Sequence, residues 1–352
     1  MRANKILFPV ASIINTFIIF FFLTLNAKSE ENKIKSFAND KGVLSIMYHR
    51  FNENKYPSTN IRMEVFKKHM GIIKEKKYDF LNPGDFDKNF LKIKKNKEIL
   101  ITIDDGFSSF YEHAWPFFKE KEIPFILFIS TEAVGKNGYM NWDQIKEIEK
   151  EKFSFIGNHS HSHEYLLEFN IDKFKNDILK SIEIFKNKLG YNPIYFSYPF
   201  GEFSLEHTSF IKKHFKYGFG QHSGVIDVNK NPYELPRFPI NEKYGDLKRF
   251  AFNIDLLPLE YKKVIPKDKY IKNNNPPELE IEFFEDQKNL KNINCFSDEG
   301  TGWQETNVKI INNKLIVNFS DKFKFRRGRI NCSLNDTDGW RWFGLQFSVK
   351  LD

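Results

Sequence analysis

The chain has 352 residues, of which 41% are hydrophobic and 28% charged, and this suffices for one large domain and a small one with buried cores. The formal net charge is +8, but the lysines form no basic block and no nucleic-acid-binding motif accompanies them, which argues against a nucleic-acid partner. The charge could favour an anionic surface such as a cell wall, although lysines scattered over solvated helix faces explain it better.

The first residues have the pattern of an export signal. Arg2 and Lys5 precede an apolar stretch over residues 6–25, and Ala27 follows as a small residue at a candidate cleavage point. The stretch is also about as long as a membrane-spanning helix, and Leu25 fits a cleavage site poorly. Residues 1–27 are therefore predicted to be either a cleaved signal peptide or a retained membrane anchor, and in both cases the rest of the chain is exported.

Apolar strands alternate with amphipathic helices from about residue 42 to residue 260. The predicted strands are 43–48, 98–103, 124–130, 153–156, 194–198 and 217–221. Phe66, Met70 and Ile73 are spaced as on a helix, and an apolar stripe over residues 171–189 predicts a longer helix that Gly190 ends. This alternation predicts a parallel α/β sheet or barrel, in which catalytic groups lie at the carboxyl ends of the strands.

The pattern then changes to short β segments. Residues 261–277 contain an Asn-Asn-Asn-Pro-Pro run and are predicted to be a linker. Residues 278–352 are predicted to form a small β-sandwich domain, with strands at 278–284, 314–319 and 342–349 and a hairpin turn at Asn312 and Asn313. The chain has two cysteines, Cys295 and Cys332, which either pair in an oxidising compartment or remain buried thiols.

Two polar motifs follow predicted strands. Asp104 and Asp105 are adjacent carboxylates, which in a closed site need a nearby cation or a raised pKa. His159 and His163 have an i, i+4 spacing that places them on one face of a helical turn, where they can hold one metal ion. Taken singly, an Asp-Asp-Gly sequence is usually a turn, and a His-x-x-x-His sequence is often a polar loop. His161, between the two histidines, is a further candidate metal ligand. Together the two motifs indicate a catalytic site for one divalent metal ion, because one carboxylate and two imidazoles leave positions open for water and substrate.

With these motifs the sequence resembles the polysaccharide deacetylases of the NodB-homology type, carbohydrate esterase family 4. Residues 102–106 (Thr-Ile-Asp-Asp-Gly) match the first family motif, and residues 159–163 (His-Ser-His-Ser-His) match the second, His-Ser/Thr-x-x-His. Residues 197–201 (Ser-Tyr-Pro-Phe-Gly) stand in place of the third, an Arg-x-Pro-Tyr-Gly-like element. The resemblance covers residues 42–260 and implies a distorted (β/α) barrel.

The resemblance also implies roles for the matched residues. Asp104 would be the general base. Asp105, His159 and His163 would bind the metal, which is usually zinc in the family. The backbone N–H of Phe200 would face the developing oxyanion.

The third motif departs from the family pattern. Its arginine, which orients the base in many members, is Ser197 here, and its tyrosine is Phe200, a change that a backbone donor would survive. Arg237 is a candidate substitute for the arginine, and a structural ion pair is the alternative for it. Tyr198 is a candidate for contact with the substrate.

The general acid is predicted separately. In the commoner motif order a late histidine supplies it, but no histidine follows His222 in this chain. His49 follows the first predicted strand, which resembles the subgroup with permuted motifs that includes exported deacetylases of poly-β-1,6-N-acetylglucosamine. The early histidine is the acid in that subgroup, so His49 is the predicted acid here and His222 is its rival.

The predicted function is metal-dependent hydrolysis of N-acetyl groups from an N-acetylglucosamine-containing polysaccharide, with release of acetate. Peptidoglycan and chitin-like chains are alternative polymers, and a catalytically inactive glycan-binding protein or a metal-binding export protein are alternative classes. Several aromatic residues either stack on sugar rings or serve packing: Trp142, Tyr198, Phe203, Trp303, Trp340 and Trp342. The oligomeric state is not predicted.

Overall fold

The computed structural model describes residues 42–86, 97–227 and 230–350. The export segment predicted at residues 1–27 lies outside the described residues. Within the described ranges, no helix combines the length and the hydropathy that a membrane crossing requires.

The first sheet contains nine strands and is mainly parallel. The strands of this part of the chain are β1 (Val43–Tyr48), β2 (Arg50–Phe51), β3 (Asn60–Ile61), β4 (Asp79–Phe80), β5 (Glu98–Ile103), β6 (Phe125–Ile129), β7 (Ser154–Asn158), β8 (Tyr195–Ser197), β9 (Tyr217–Phe219), β10 (Val225–Ile226) and β11 (Phe238–Pro239). Strands β2 and β3 pair only with each other, and the other nine form the first sheet. The order is β10-β1-β5-β6-β7-β8-β9, with β11 also on β1 and β4 also on β5. Neighbours from β1 to β9 are parallel and the sheet curls into a half-barrel, which confirms the predicted fold.

The helices cover this sheet. The α-helices of the described ranges are Met63–Glu75, Trp115–Lys121, Trp142–Glu149, Ile171–Leu189, Leu205–Ile211 and Leu247–Asp255. The helix Ile171–Leu189 begins where the Asn170 side chain accepts a hydrogen bond from Lys173 N and ends at Gly190, whose φ of 86° suits a residue without a Cβ atom. Both predicted helices are confirmed.

The sheet is buried on both faces. Along β5, Ile99, Ile101 and Ile103 belong to one apolar cluster, whereas Leu100 belongs to the cluster on the opposite face. Such two-sided burial explains why the strands read as continuous apolar runs. Because β1, β5, β6, β7 and β8 are parallel neighbours, the residues that follow them come together at one edge of the sheet.

The C-terminal region consists of two sheets that share one core. Its strands are β12 (Leu257–Pro258), β13 (Lys263–Ile265), β14 (Tyr270–Ile271), β15 (Leu279–Glu282), β16 (Asn294–Asp298), β17 (Gln304–Glu305), β18 (Asn307–Ile311), β19 (Lys314–Asn318), β20 (Arg327–Asp336) and β21 (Gly339–Val349). The larger sheet has the order β12-β21-β20-β16-β17 with β14 on β21, and the smaller has the order β13-β15-β19-β18. The hairpin turn at Asn312 and Asn313 is confirmed, since Ile311 pairs with Lys314.

The segment predicted to be a linker is partly paired. Strand β13 lies antiparallel to β15, and Tyr270 and Ile271 pair with β21. The Asn-rich run is also tied down, because the Asn275 side chain accepts a hydrogen bond from Phe323 N (2.8 Å) and donates one to Phe323 O (2.9 Å). These residues of the predicted linker therefore pair with partners that lie far along the chain.

Cys295 and Cys332 form a disulfide between β16 and β20, with Cα atoms 4.1 Å apart. The bond closes a loop of 37 residues, so replacing both cysteines by alanine should lower the free energy of unfolding by about 2–4 kcal/mol. The midpoint of urea unfolding measures this change, with the wild type under reducing conditions as the matched control. An unaltered midpoint in both samples would contradict it.

Candidate active site

The predicted site residues meet at the carboxyl edge of the first sheet. Asp104 follows β5, His159 follows β7, and Ser197 ends β8. His49 follows β1 directly. The parallel order of these strands thus places residues from distant parts of the sequence side by side.

Asp105, His159 and His163 form a compact cluster. Asp105 Oδ1 lies 3.0 Å from His163 Nε2 and 3.3 Å from His159 Nε2, and the two Nε2 atoms are 3.2 Å apart. Within the described ranges this is the one group of three or more such side chains with metal-ligand spacing. The predicted ligand set is brought together by the fold.

The loop that carries His159 and His163 is not a helical turn, so the prediction that a helical turn brings these two side chains together is wrong. Ser160 and His163 have positive φ angles of 68° and 53°. The Asp177 carboxylate accepts hydrogen bonds from the backbone N–H groups of His161 (2.9 Å) and Ser162 (3.0 Å). These bonds shape an irregular loop in which the i, i+4 histidines still converge.

His161 points away from the cluster. A hydrogen bond of 2.9 Å joins its Nδ1 to Thr131 Oγ1, and its Nε2 lies 3.9 Å from a Glu132 carboxylate oxygen. His161 is therefore a partner of the neighbouring loop and a suitable control for the other two histidines.

The cluster fits a cation. His159 Nδ1 donates to the carbonyl oxygen of Ser197 at 2.7 Å, so the lone pair of the neutral ring lies on Nε2, which faces Asp105 Oδ1. That carboxylate oxygen is buried and lacks a hydrogen-bond partner among the described residues. Two acceptors facing each other in a buried site are stabilised by a metal ion, and the backbone bond on the far ring nitrogen is the usual support of a histidine ligand.

The charges around Asp105 keep it ionised. Burial acts to raise the pKa of Asp105, but the charge of His163 is the largest influence that opposes it, and the pKa lies well below its ordinary value. Burial acts to lower the pKa of His163, and the Asp105 carboxylate raises it above its ordinary value. The carboxylate is thus in the form that binds a metal.

Asp104 is held by a buried arginine. Arg237 Nη1 donates to Asp104 Oδ1 at 2.7 Å and Arg237 Nη2 to Asp104 Oδ2 at 2.8 Å, and both side chains have 0% exposure. Burial acts to raise the pKa of Asp104, but the Arg237 guanidinium outweighs it and keeps the pKa below its ordinary value. Ser197 Oγ accepts from Arg237 Nη2 at 2.8 Å and lies 3.3 Å from Asp104 Oδ2.

Arg237 therefore contacts both oxygens of the Asp104 carboxylate. Its Nε also donates to Gly220 O at 2.9 Å, which fixes the plane of the guanidinium. A bidentate arginine–carboxylate pair sets both the charge and the orientation of the carboxylate. The small Ser197 leaves room for this arrangement at the end of β8.

Phe200 lies in a tight turn beside the cluster. Its φ is 59°, an angle that is rare for a bulky residue, and its ring centroid is 4.9 Å from that of His163. Tyr198 does not fit a substrate contact, since it is 1% exposed and packs between Phe196 and Phe203. The expectation for Tyr198 is corrected: this strand end turns its ring into the core.

The two candidate acids occupy different surroundings. Burial lowers the pKa of His49, whereas the charges of Asp105 and Asp104 act to raise it. Burial lowers the pKa of His222 to about 3, with Lys230 and Lys269 as the next influences. The site carboxylates thus act on the pKa of His49, which follows β1 directly, and are not among the causes of the shift at His222.

Most of the aromatic residues that were candidates for stacking on sugar rings contact other protein residues instead. Phe203 is buried, Trp142 packs on Phe185, and Trp342 Nε1 donates to Ser223 Oγ at 2.9 Å. Trp303 and Trp340 are exposed on the C-terminal region. Asp177 and the contacts from β21 also shape the site, and no local sequence signal indicates them.

Comparison with known proteins agrees with this geometry. Residues 92–217 match the family model described as Polysaccharide deacetylase. The poly-beta-1,6-N-acetyl-D-glucosamine N-deacetylase of Staphylococcus aureus (strain MRSA252) is 28% identical over 174 residues, which cover 44% of this chain and 60% of that protein. The match thus spans less than two thirds of the length of that relative.

Two solved structures resemble the fold. IcaB from Ammonifex degensii has a TM-score of 0.53 at 22% sequence identity, covering 61% of this chain and 98% of that one. The Streptococcus pyogenes deacetylase PplD, in complex with acetate, has a TM-score of 0.53 at 19% identity, covering 58% of this chain and 94% of that one. At these identities the likeness shows the fold, and it agrees with the predicted distorted (β/α) barrel.

Proposed function

We propose that this chain, whose residues 92–217 match the polysaccharide deacetylase family model, hydrolyses N-acetyl groups of an N-acetylglucosamine-containing polysaccharide and releases acetate. The observation that carries the proposal is the buried Asp104–Arg237 pair beside the Asp105–His159–His163 cluster. An ionised, oriented carboxylate next to a set of metal ligands is what hydrolysis of an amide by activated water requires.

The ligand cluster supports metal dependence. Asp105, His159 and His163 would hold one divalent ion, for which zinc is the best match to a set of one oxygen and two nitrogen ligands. Such an ion would act as a Lewis acid toward water and toward the amide carbonyl of the substrate.

The chain's own residues would move the protons. Asp104, kept ionised by Arg237, accepts a proton from the attacking water. The backbone N–H of Phe200 donates to the oxygen that becomes negative as the carbonyl is attacked. His49, on the neighbouring strand end, donates a proton to the leaving amine, which otherwise departs poorly.

Replacing His159 by alanine should remove most of the bound metal. His159 supplies one of three ligand atoms, and its ring is oriented by the Ser197 carbonyl. Metal content after dialysis, measured by inductively coupled plasma mass spectrometry, checks this prediction. His161→Ala is the matched control because it lies in the same loop but faces Thr131. Full metal content in the His159→Ala protein would remove this residue from the ligand set.

Replacing His49 by alanine should slow acetate release by about 10²–10⁴-fold, the usual contribution of a general acid or base, while metal content stays unchanged. His222→Ala should retain most of the rate, because Lys230 and Lys269, rather than the site carboxylates, are the charges that act most on the pKa of His222. The opposite pattern, with His222→Ala slow and His49→Ala active, would reassign the acid.

The polymer is proposed from the relatives. The Staphylococcus aureus relative is named for poly-beta-1,6-N-acetyl-D-glucosamine, so β-1,6-linked oligomers are the first substrates to assay. Chitin oligomers and peptidoglycan fragments should be tested beside them, with acetate release as the readout. Glycan binding without acetate release from any of the three would favour a binding protein on this scaffold.

We also infer export through residues 1–27, from the basic and apolar pattern of that segment. The mass of the protein recovered from the cell envelope distinguishes a cleaved signal peptide from a retained membrane anchor. Recovery from the cytoplasm alone would contradict export.

A further inference from the structure

The turn that carries Phe200 is in contact with the C-terminal sandwich. Gln346, on β21, donates from Nε2 to the carbonyl oxygens of both Phe200 and Gly201, each at 3.1 Å. The Gln346 side chain is buried, with the residue 4% exposed. One side chain of the C-terminal region therefore holds two successive peptide groups of the turn.

The orientation of the Gln346 amide is set from within the sandwich. Arg329 lies opposite Gln346 in the β20–β21 pairing, and Arg329 Nε donates to Gln346 Oε1 at 3.2 Å. Since the amide oxygen faces the arginine, the amide nitrogen faces the turn. The chain of hydrogen bonds runs from Arg329 through Gln346 to the carbonyl oxygens of the turn.

The ring of Phe200 is supported from the same direction. Tyr165 stacks on Phe200 with centroids 4.3 Å apart, and the Arg326 guanidinium lies 3.9 Å above the Tyr165 ring, within the range of a cation–π contact. Arg326 also forms ion pairs with Glu168 and Glu202. The sandwich thus contacts both the backbone and the side-chain stack of this turn.

The turn needs such support because its backbone is in an unfavourable region. Phe200 has a φ of 59°, which a bulky side chain adopts only where surrounding contacts impose it. Gly201 follows with a φ of 70°, and a Cβ there would lie 2.5 Å from Gln221 N. The turn is therefore pressed between the barrel loop at Gln221 and the amide of Gln346.

We propose that the C-terminal sandwich is a positioning element of the active site, in which Gln346 holds the Phe200 turn so that the Phe200 N–H is aimed at the developing oxyanion. This inference rests on the proposed deacetylase function and gives the sandwich a role in catalysis. Gln346 acts through the turn and is a positioning residue. Its loss should weaken binding of the transition state more than binding of the substrate.

The test is Gln346→Met, which keeps the length of the side chain and removes the donor. We expect kcat for acetate release to fall by about 10-fold or more, as misplacement of a reacting geometry does, with KM and metal content little changed. Affinity for a methylphosphonamidate analogue of the N-acetyl group, which mimics the tetrahedral oxyanion, should fall by the same factor. A merely structural role would not tie these two losses together.

Gln304→Met is the matched control, since Gln304 lies on β17 of the same sheet and its amide donates to Glu299 rather than to the turn, and its kcat and KM should match those of the wild type. Unchanged kcat in the Gln346→Met protein, or a loss confined to KM, would overturn the inference. If Gln346→Met does not fold, the same readouts on Arg329→Met decide the question. Wild-type protein in the same assay separates the cases: no acetate there contradicts the proposed function, whereas active wild type with an equally active variant contradicts only this inference.

Discussion

Asp104→Asn should release acetate about 10²–10⁴-fold more slowly than the wild type, the range expected when a general base is lost. The amide is nearly isosteric with the carboxylate but cannot accept a proton from water. Asp105, His159 and His163 are left intact, so metal content should be unchanged. Acetate release from N-acetylglucosamine oligomers and elemental analysis of the same samples check both parts of the prediction.

Asp143→Asn is the matched control for this substitution. Asp143 is an exposed acid in the first turn of the helix Trp142–Glu149, and its replacement should leave the rate as in the wild type. A metal-loaded Asp104→Asn protein with near wild-type activity would show that another group accepts the proton.

Arg237→Met should destabilise the protein by about 3–5 kcal/mol, because removing one partner of a buried ion pair leaves the other charge buried and uncompensated. Asp104 has 0% side-chain exposure, and Gly220 O and Ser197 Oγ also lose the donors that Arg237 supplies. The midpoint and slope of urea unfolding give the change in the free energy of unfolding. Activity should fall with stability, since the carboxylate loses the group that orients it.

A double-mutant cycle separates the pair from its surroundings. The variant with both Asp104→Asn and Arg237→Met should lose less stability than the sum of the two single variants, because the coupled charges are removed together. Lys314→Met, which breaks the exposed pair with Glu280, should be nearly silent by comparison. Additive losses in the double variant would mean that Asp104 and Arg237 do not stabilise each other.

The barrel strands and the ends that carry the site were predictable because each depends on a short stretch of sequence. Strand β5 is apolar before Asp104 except at Glu98 and Thr102, since both of its faces are buried. The helix Ile171–Leu189 has one apolar stripe and ends at a glycine. Parallel strands then bring the polar residues at their ends together without any information from the loops between them.

The features that the sequence did not indicate depend on loops and on distant partners. The spacing of His159 and His163 suggested a helical turn, but the Asp177 carboxylate holds that loop in another shape. The segment expected to be a linker pairs with strands of the C-terminal sheets. In both cases the deciding hydrogen bonds come from residues whose proximity a single sequence does not reveal.

The contacts of the third motif, residues 197–201, also depend on residues that are distant in the sequence. The motif suggested a substrate contact for Tyr198, whose ring is buried. It gave no sign of Gln346, which lies 146 positions after Phe200 and donates to its carbonyl oxygen. Arg237 was noted as a candidate partner for Asp104, but only the fold places its guanidinium on both carboxylate oxygens.

We propose above all that the Asp105–His159–His163 cluster makes this chain a metal-dependent deacetylase. The most direct test is acetate release by the purified chain from N-acetylglucosamine oligomers after the metal has been stripped by a chelator and again after Zn²⁺ is added back. We predict that release stops on stripping and returns with Zn²⁺. Release that continues at the same rate in the stripped protein would contradict the claim, as would the absence of acetate from the reconstituted protein with all three polymers.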